Sequence, residues 1–153
     1  MTSESNGLAE LEGRIKKDIP LARHLGLSLA SYDGACITLN APLAGNSNHR
    51  DTAFAGSLDA VATLAGWSLM SLMLKELGVD GEVVIQNCTV SFVRPVTADF
   101  SARCWKPAAH AIADFAAMLL KRGRARMELE AIIGERLDPA VRFFGRYVAI
   151  LKD

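Results

Sequence analysis

The sequence predicts an α+β fold in which a curled antiparallel sheet wraps around one long central helix. Three observations predict it: about six segments with strand patterns, a long and almost wholly apolar helical segment placed early, and an amphipathic helical segment inserted late. No Pro-, Gly- or Ser-rich linker divides the 153 residues. We therefore expect one domain over residues 1–153.

The first part of the chain predicts a helix followed by a hairpin. Residues 1–24 form an N-terminal helical segment, in which apolar residues recur at helical spacing until Pro20 closes the helix. Residues 27–41 then have the pattern of two short strands. Between them lies the dipeptide Asp33-Gly34, which supplies the positive φ angles of a tight turn.

The central helix is predicted from Ser57 to Leu77, because its apolar residues follow the helical period and extend around most of the cylinder. Such a helix is buried on nearly all sides. Gly78 suits the position after its last turn, and Asp80-Gly81 predicts the next turn. Strand patterns follow at residues 83–96, 97–105, 124–133 and 141–151, with a second helix between residues 107 and 123.

Composition excludes several classes of protein. Lys and Arg number 17, as do Asp and Glu, so binding to nucleic acid is not expected. The longest uncharged apolar run, residues 60–74, is shorter than the ~20 residues of a membrane span.

The chain is predicted to form an oligomer. Hydrophobic residues make up 50% of the chain, which indicates a buried interface between copies. The uncharged strand around residues 88–92 indicates a buried sheet edge.

Cysteine usage indicates a reducing compartment. Cys36, Cys88 and Cys104 contain no CxxC pair, so we expect reduced core residues in a cytoplasmic protein. The N-terminus has no basic region followed by an apolar stretch, and a signal peptide is not expected. No histidine has a partner at metal-ligand spacing, so no metal site is predicted.

The most informative segment is residues 44–67, in which polar residues precede the small residues Ala55, Gly56 and Ser57. The first N–H groups of a helix lack internal partners and carry partial positive charge, so small residues there let a substrate oxygen approach the main chain. This arrangement is typical of an oxyanion hole. The alternative is structural: Ser57 or Thr52 caps the helix, and the asparagines only turn the chain.

This segment resembles the hotdog-fold thioesterases, specifically the bacterial "putative thioesterase" family found alone or fused to an acetyltransferase domain. Related enzymes carry Asn, then Gly-Thr, then His-Gly-Gly, then a carboxylate on the central helix. The matching positions are Asn48, Asp51-Thr52, Phe54-Ala55-Gly56 and Thr63. Residues 91–96 and 124–131 fit the family too, so the resemblance extends from about Leu25 to the end of the chain.

The resemblance implies a thioesterase that hydrolyses an acyl thioester of coenzyme A or acyl carrier protein with water. It implies a homodimer, or a dimer of dimers, with the site at the interface, and no metal or redox cofactor. Asn48 would orient the water or the carbonyl group, the N–H of Gly56 would stabilise the oxyanion, and Thr63 would position water. The expected substrate-binding residues are Phe54, Ala55, Ser57 and, as a phosphate ligand, Arg94.

This chain departs from the pattern where it matters for catalysis. Phe54 cannot replace an imidazole, and Thr63 cannot act as a general base. Asp59 lies four residues before Thr63, so it shares that helix face and offers a carboxylate. Its structural alternative is a first-turn Asp that interacts with the helix dipole. His49 is a further acid or base candidate, and its alternative is an exposed loop histidine.

Two other functions remain open from the sequence. A hydratase or dehydratase of acyl thioesters would need a well-placed histidine with a carboxylate, and Phe54 counts against it. A binding module for acyl-CoA or lipid, without catalysis, is favoured by the missing carboxylate at Thr63.

Overall fold

The computed structural model describes residues 3–153, so the first two residues of the predicted N-terminal segment lie outside the described part. Its helices are α1 (Ser3–Asp18), α2 (Leu21–His24), α3 (Ala55–Glu76) and α4 (Ala109–Arg122). Its strands are β1 (Ser28–Tyr32), β2 (Cys36–Ala41), β3 (Gly81–Phe92), β4 (Phe100–Trp105), β5 (Arg124–Gly134) and β6 (Pro139–Leu151). The strand order is β1-β2-β4-β5-β6-β3, with every pairing antiparallel. The predicted α+β class is confirmed.

Helix α3 forms the centre of the core, and the sheet curls around it. It contacts β2, β3, β4, β5 and β6, and twelve of its 22 residues are buried. The strands present alternating apolar faces to it. On β2 the buried residues are Ile37, Leu39 and Ala41, and on β5 they include Ala125, Met127, Leu129 and Ala131.

The length of α3 invites comparison with a membrane span. Its 22 residues have a mean hydropathy of 1.4 in the most apolar window, enough by length and composition to cross a membrane. Of that window, 67% is buried inside the protein. The helix is thus packed as the core helix that the sequence predicts.

Two predicted boundaries were wrong. Helix α3 begins at Ala55 rather than Ser57, because Phe54 has extended dihedral angles (φ −65°, ψ 133°) and forms the N-cap. Gly81 belongs to β3, where it pairs with Leu151, so no turn forms there. Both errors arise because backbone pairing, rather than local composition, decides where these elements start.

The hairpin between β1 and β2 forms as predicted, but by a different turn. Gly34 has a positive φ of 87°, whereas Asp33 does not adopt one. Instead, the Asp33 Oδ1 accepts hydrogen bonds from the N–H groups of Ala35 and Cys36 at 2.8 and 2.7 Å. The aspartate therefore closes the turn with its side chain.

Replacing Gly66 with alanine should destabilise the protein, because a Cβ at this position of α3 would collide with the buried Tyr147 hydroxyl. Overpacking of this kind costs about 1–3 kcal/mol. Gly13 in α1 is the matched control, since no atom lies within 4 Å of its added Cβ. Gly13→Ala should stabilise the helix by about 0.5–1 kcal/mol. Urea unfolding followed by circular dichroism measures both, and a Gly66→Ala variant as stable as the native protein would contradict this packing.

Candidate active site

The chain enters α3 along a fixed path. Asn46 is buried, and its Nδ2 donates to the carbonyl oxygens of Leu25 and Pro42, each at 2.8 Å. The Asn46 carbonyl in turn accepts a hydrogen bond from the Phe54 N–H at 2.7 Å. The N-cap residue of α3 is thereby tied to the segments just before β1 and just after β2. The sequence analysis does not predict this role for Asn46 among the asparagines of the loop.

Asn48 closes a tight loop just before the helix. Its Nδ2 donates to the Thr52 Oγ1 at 2.9 Å, and its Oδ1 accepts from the N–H groups of Arg50 and Thr52 at 2.9 and 3.3 Å. Asp51, in the same loop, has a left-handed φ of 58°. The pattern of related hotdog thioesterases described above has glycine at this position, which adopts this conformation freely, and aspartate is among the residues that tolerate it. His49 is exposed on this loop.

The N-terminus of α3 has no side-chain cap, so neither Ser57 nor Thr52 plays the capping part considered above. Within residues 3–153, the first N–H groups of α3 to find backbone acceptors are those of Ser57 and Leu58, which bond to the Phe54 carbonyl at 3.0 and 3.1 Å. The preceding two residues, Ala55 and Gly56, are exposed. Their N–H groups are therefore available to a substrate oxygen at the positive end of the helix.

The side chain of Phe54 packs against the main chain at Gly56. A Cβ on Gly56 would collide with the Phe54 ring, which lies against it. The ring itself is 54% exposed, although the Phe54 backbone is hydrogen-bonded on both sides. An apolar wall thus stands beside the free N–H groups.

Asp59 and Thr63 meet on the same face of α3, as their spacing predicts. The Thr63 hydroxyl donates to the Asp59 Oδ1 over a long 3.4 Å, and both side chains are half-buried. The first turn of α3 holds no acidic residue, so the helix-dipole alternative for Asp59 loses its support. In the described part of the chain, Asp59 forms no ion pair within 4.0 Å. Along the helix axis, Asp59 lies about 4.5 Å and Thr63 about 10.5 Å beyond Gly56.

The Asp59 and Thr63 face of α3 packs near β3, the strand at the edge of the sheet, closely enough for the Asp59 carboxylate to act on Cys88 of that strand. These three residues are only partly covered, and we call the space between them the groove. A bulge between Ile85 and Asn87 precedes Cys88, which pairs with Gly145 on the buried face of β6 and so faces α3. Burial raises the pKa of the Cys88 thiol, and the Asp59 carboxylate raises it further. Cys88 is exposed, so its assignment to the core was wrong, because no strand covers the outer edge of β3.

Arg94, which the resemblance implies as a phosphate ligand, has a partner within the protein. The Arg94 guanidinium forms an ion pair with Asp138 at 3.0 Å and also donates to the Asp138 carbonyl, so it is engaged at the β5–β6 turn. Over residues 3–153, no group of three or more His, Cys, Asp or Glu side chains is arranged to hold a metal ion.

Similar structures agree on the fold. A protein of unknown function from Chlorobaculum tepidum superposes with a TM-score of 0.93 and 28% identity over 97% of each chain. A "putative thioesterase" from Shewanella oneidensis gives a TM-score of 0.83 and 28% identity over 94% of this chain and 96% of that one. The PaaI protein from the phenylacetic acid degradation operon of E. coli, at 15% identity, covers 99% and 97% with a TM-score of 0.64 and shows the fold alone.

The hotdog fold implied by the resemblance is therefore confirmed: a curled antiparallel sheet wraps around a long central helix. The family model described as "Putative thioesterase (yiiD_Cterm)" matches residues 8–151. That match covers nearly the whole chain, and the protein belongs to this thioesterase family.

Proposed function

We propose that this protein hydrolyses acyl thioesters, carried on coenzyme A or acyl carrier protein, in the groove between α3 and β3. One observation carries the proposal: the carboxylate of Asp59, without an ion-pair partner among the described residues, shares a helix face with the free N–H groups of Ala55 and Gly56. A base and an oxyanion site thus lie about one helical turn apart. The family supports thioester hydrolysis in general.

The proposed reaction uses water as the nucleophile. The thioester carbonyl oxygen accepts hydrogen bonds from the N–H groups of Ala55 and Gly56, which makes the carbonyl carbon more electrophilic. Asp59 takes a proton from water as the water oxygen bonds to that carbon. The oxyanion then collapses, the carbon–sulfur bond breaks, and the leaving thiolate recovers the proton from Asp59.

The remaining residues support this step in different ways. Thr63 orients the Asp59 carboxylate through its hydroxyl. Asn48 acts by shaping the loop before the helix, because its side-chain amide nitrogen and oxygen both form hydrogen bonds within that loop. Phe54, with Ala55 and Ser57, contacts the acyl group beside the carbonyl.

We also propose that the functional unit is a homodimer joined along β3. This strand forms a sheet edge of twelve residues, and unpaired edges favour pairing with another chain. Its large apolar side chains are exposed, at 48% for Val84, 36% for Ile85 and 49% for Phe92. Pairing of two such edges would extend the sheet and enclose the groove beside the partner.

Separate substitutions of the two candidate residues on α3, Asp59 and Thr63, test the mechanism. Asp59→Asn keeps size and helix geometry but removes the base, so thiol release should fall at least about a hundredfold and the acidic limb of its pH profile should disappear. Thr63→Val removes only the orienting hydroxyl, so activity should fall about tenfold with the limb retained. Thiol release from a panel of acyl-CoA and acyl-carrier-protein substrates, from about pH 5 to 9, measures both.

Full activity in both variants would remove Asp59 and Thr63 from the mechanism. If the native protein releases no thiol but binds acyl-CoA in calorimetry, it is a binding module. A change in enoyl-thioester absorbance without thiol release would instead identify a hydratase.

Light scattering at micromolar concentration should show a dimer. Thr89→Lys places a charge on β3 and should raise the dimer dissociation constant at least about tenfold, because like charges on paired edges repel. Ser31→Lys on β1, the opposite edge strand, is the matched control and should remain dimeric. A monomeric native protein, or dissociation by Ser31→Lys alone, would refute pairing along β3.

A further inference from the structure

Two hydrogen bonds tie α3 to the sheet beside the groove. The Tyr147 hydroxyl on β6 donates to the Thr63 carbonyl oxygen at 2.7 Å. One turn further along α3, the Trp67 Nε1 donates to the Val83 carbonyl oxygen on β3 at 2.9 Å. Strands β6 and β3 are neighbours in the sheet, so both hydrogen bonds hold the same part of the helix against that end of the sheet.

The protein encloses Tyr147 closely. Its side chain is fully buried, at 0% exposure. A Cβ on Gly66 would collide with its hydroxyl, and a Cβ on Gly145 would lie 2.8 Å from its Cε2. Burial raises the pKa of Tyr147 far above its ordinary value, so the hydroxyl stays protonated and remains a donor. A ring held in this way offers Thr63 one hydrogen-bond geometry.

Cys88, on the opposite wall of the groove, reports the position of α3. The Asp59 carboxylate adds to burial in raising the pKa of this thiol. A Coulomb interaction weakens as the two groups separate. Any movement of Asp59 away from β3 should therefore lower the pKa of Cys88.

We propose that Tyr147 is a positioning residue, whose hydroxyl sets how close the Asp59 and Thr63 face of α3 stands to β3. The catalytic consequence rests on the proposed function, since it requires Asp59 to act on a bound thioester. The effect of Tyr147 on the distance between α3 and β3 does not depend on it, because the two tethers, which are the hydrogen bonds from Tyr147 and Trp67, form whatever binds in the groove. Small misplacements of catalytic groups are costly: about 1 Å can reduce a rate a hundredfold.

Tyr147→Phe tests this by removing one oxygen and keeping the ring. The pH midpoint of iodoacetamide labelling at Cys88 is read on the Cys88 peptide by mass spectrometry. In Tyr147→Phe this midpoint should fall towards the value of the Asp59→Asn variant, in which the carboxylate is absent. Thioester hydrolysis should lose about tenfold in kcat with KM little changed. Trp67→Phe, which removes the second tether, should shift the Cys88 midpoint in the same direction and keeps the test open if Tyr147→Phe folds poorly.

Tyr32→Phe is the matched control. Tyr32 also donates its hydroxyl to α3, but to Glu76 at the far end of the helix. This variant should lose stability without moving the Cys88 midpoint or kcat. An unchanged or raised midpoint in both Tyr147→Phe and Trp67→Phe would overturn the proposal. If the native protein hydrolyses no thioester, the proposed function fails, whereas a lowered midpoint would still support the positioning role.

Discussion

Helix α3 stays out of water because the sheet curls around it, and the other features of the molecule depend on this packing. Full burial of a Leu, Val or Met side chain stabilises a fold by about 1.5–3 kcal/mol, and α3 buries many of them. The four inner strands, β2, β4, β5 and β6, all pack against the helix, and so does the edge strand β3. At β3 the cover is incomplete: Val83 is buried, whereas Ile85 and Cys88 are exposed. The groove is the place where the sheet stops covering the helix.

This incomplete cover explains how an apolar helix tolerates a carboxylate. Full burial would strongly disfavour the ionised form of Asp59 without a cation or several donors beside it. The groove leaves the carboxylate half-exposed, with the Thr63 hydroxyl as its donor. The same opening exposes the helix N-terminus, where Phe54 lies at the position matched to histidine in the related hotdog thioesterases and adds an apolar wall. The Asp59 carboxylate and the exposed start of the helix therefore lie on the face of α3 that the sheet leaves open.

Much of this arrangement could be predicted from local patterns. The helical period of apolar residues predicts α3, and the two-residue alternation predicts β5. The four-residue spacing of Asp59 and Thr63 predicts that they share a helix face. Strand order could not be predicted, because it depends on long-range pairing, and Cys88 was therefore misplaced in the core. The Gly56 contact with Phe54 and the Gly66 contact with Tyr147 were missed for a related reason. A glycine in a helix does not reveal which side chain fills the space of its absent Cβ.

A crystal structure with an acyl-coenzyme A analogue, in which a methylene group between carbonyl and sulfur prevents hydrolysis, would locate the thioester carbonyl relative to α3. We expect its carbonyl oxygen within hydrogen-bond distance of the Ala55 and Gly56 N–H groups, about 2.7–3.2 Å. The carbonyl carbon would then face Asp59 across one ordered water, and the acyl chain would contact Phe54. An analogue bound on the outer face of the sheet, or with its carbonyl away from the start of α3, would show that the active site lies elsewhere.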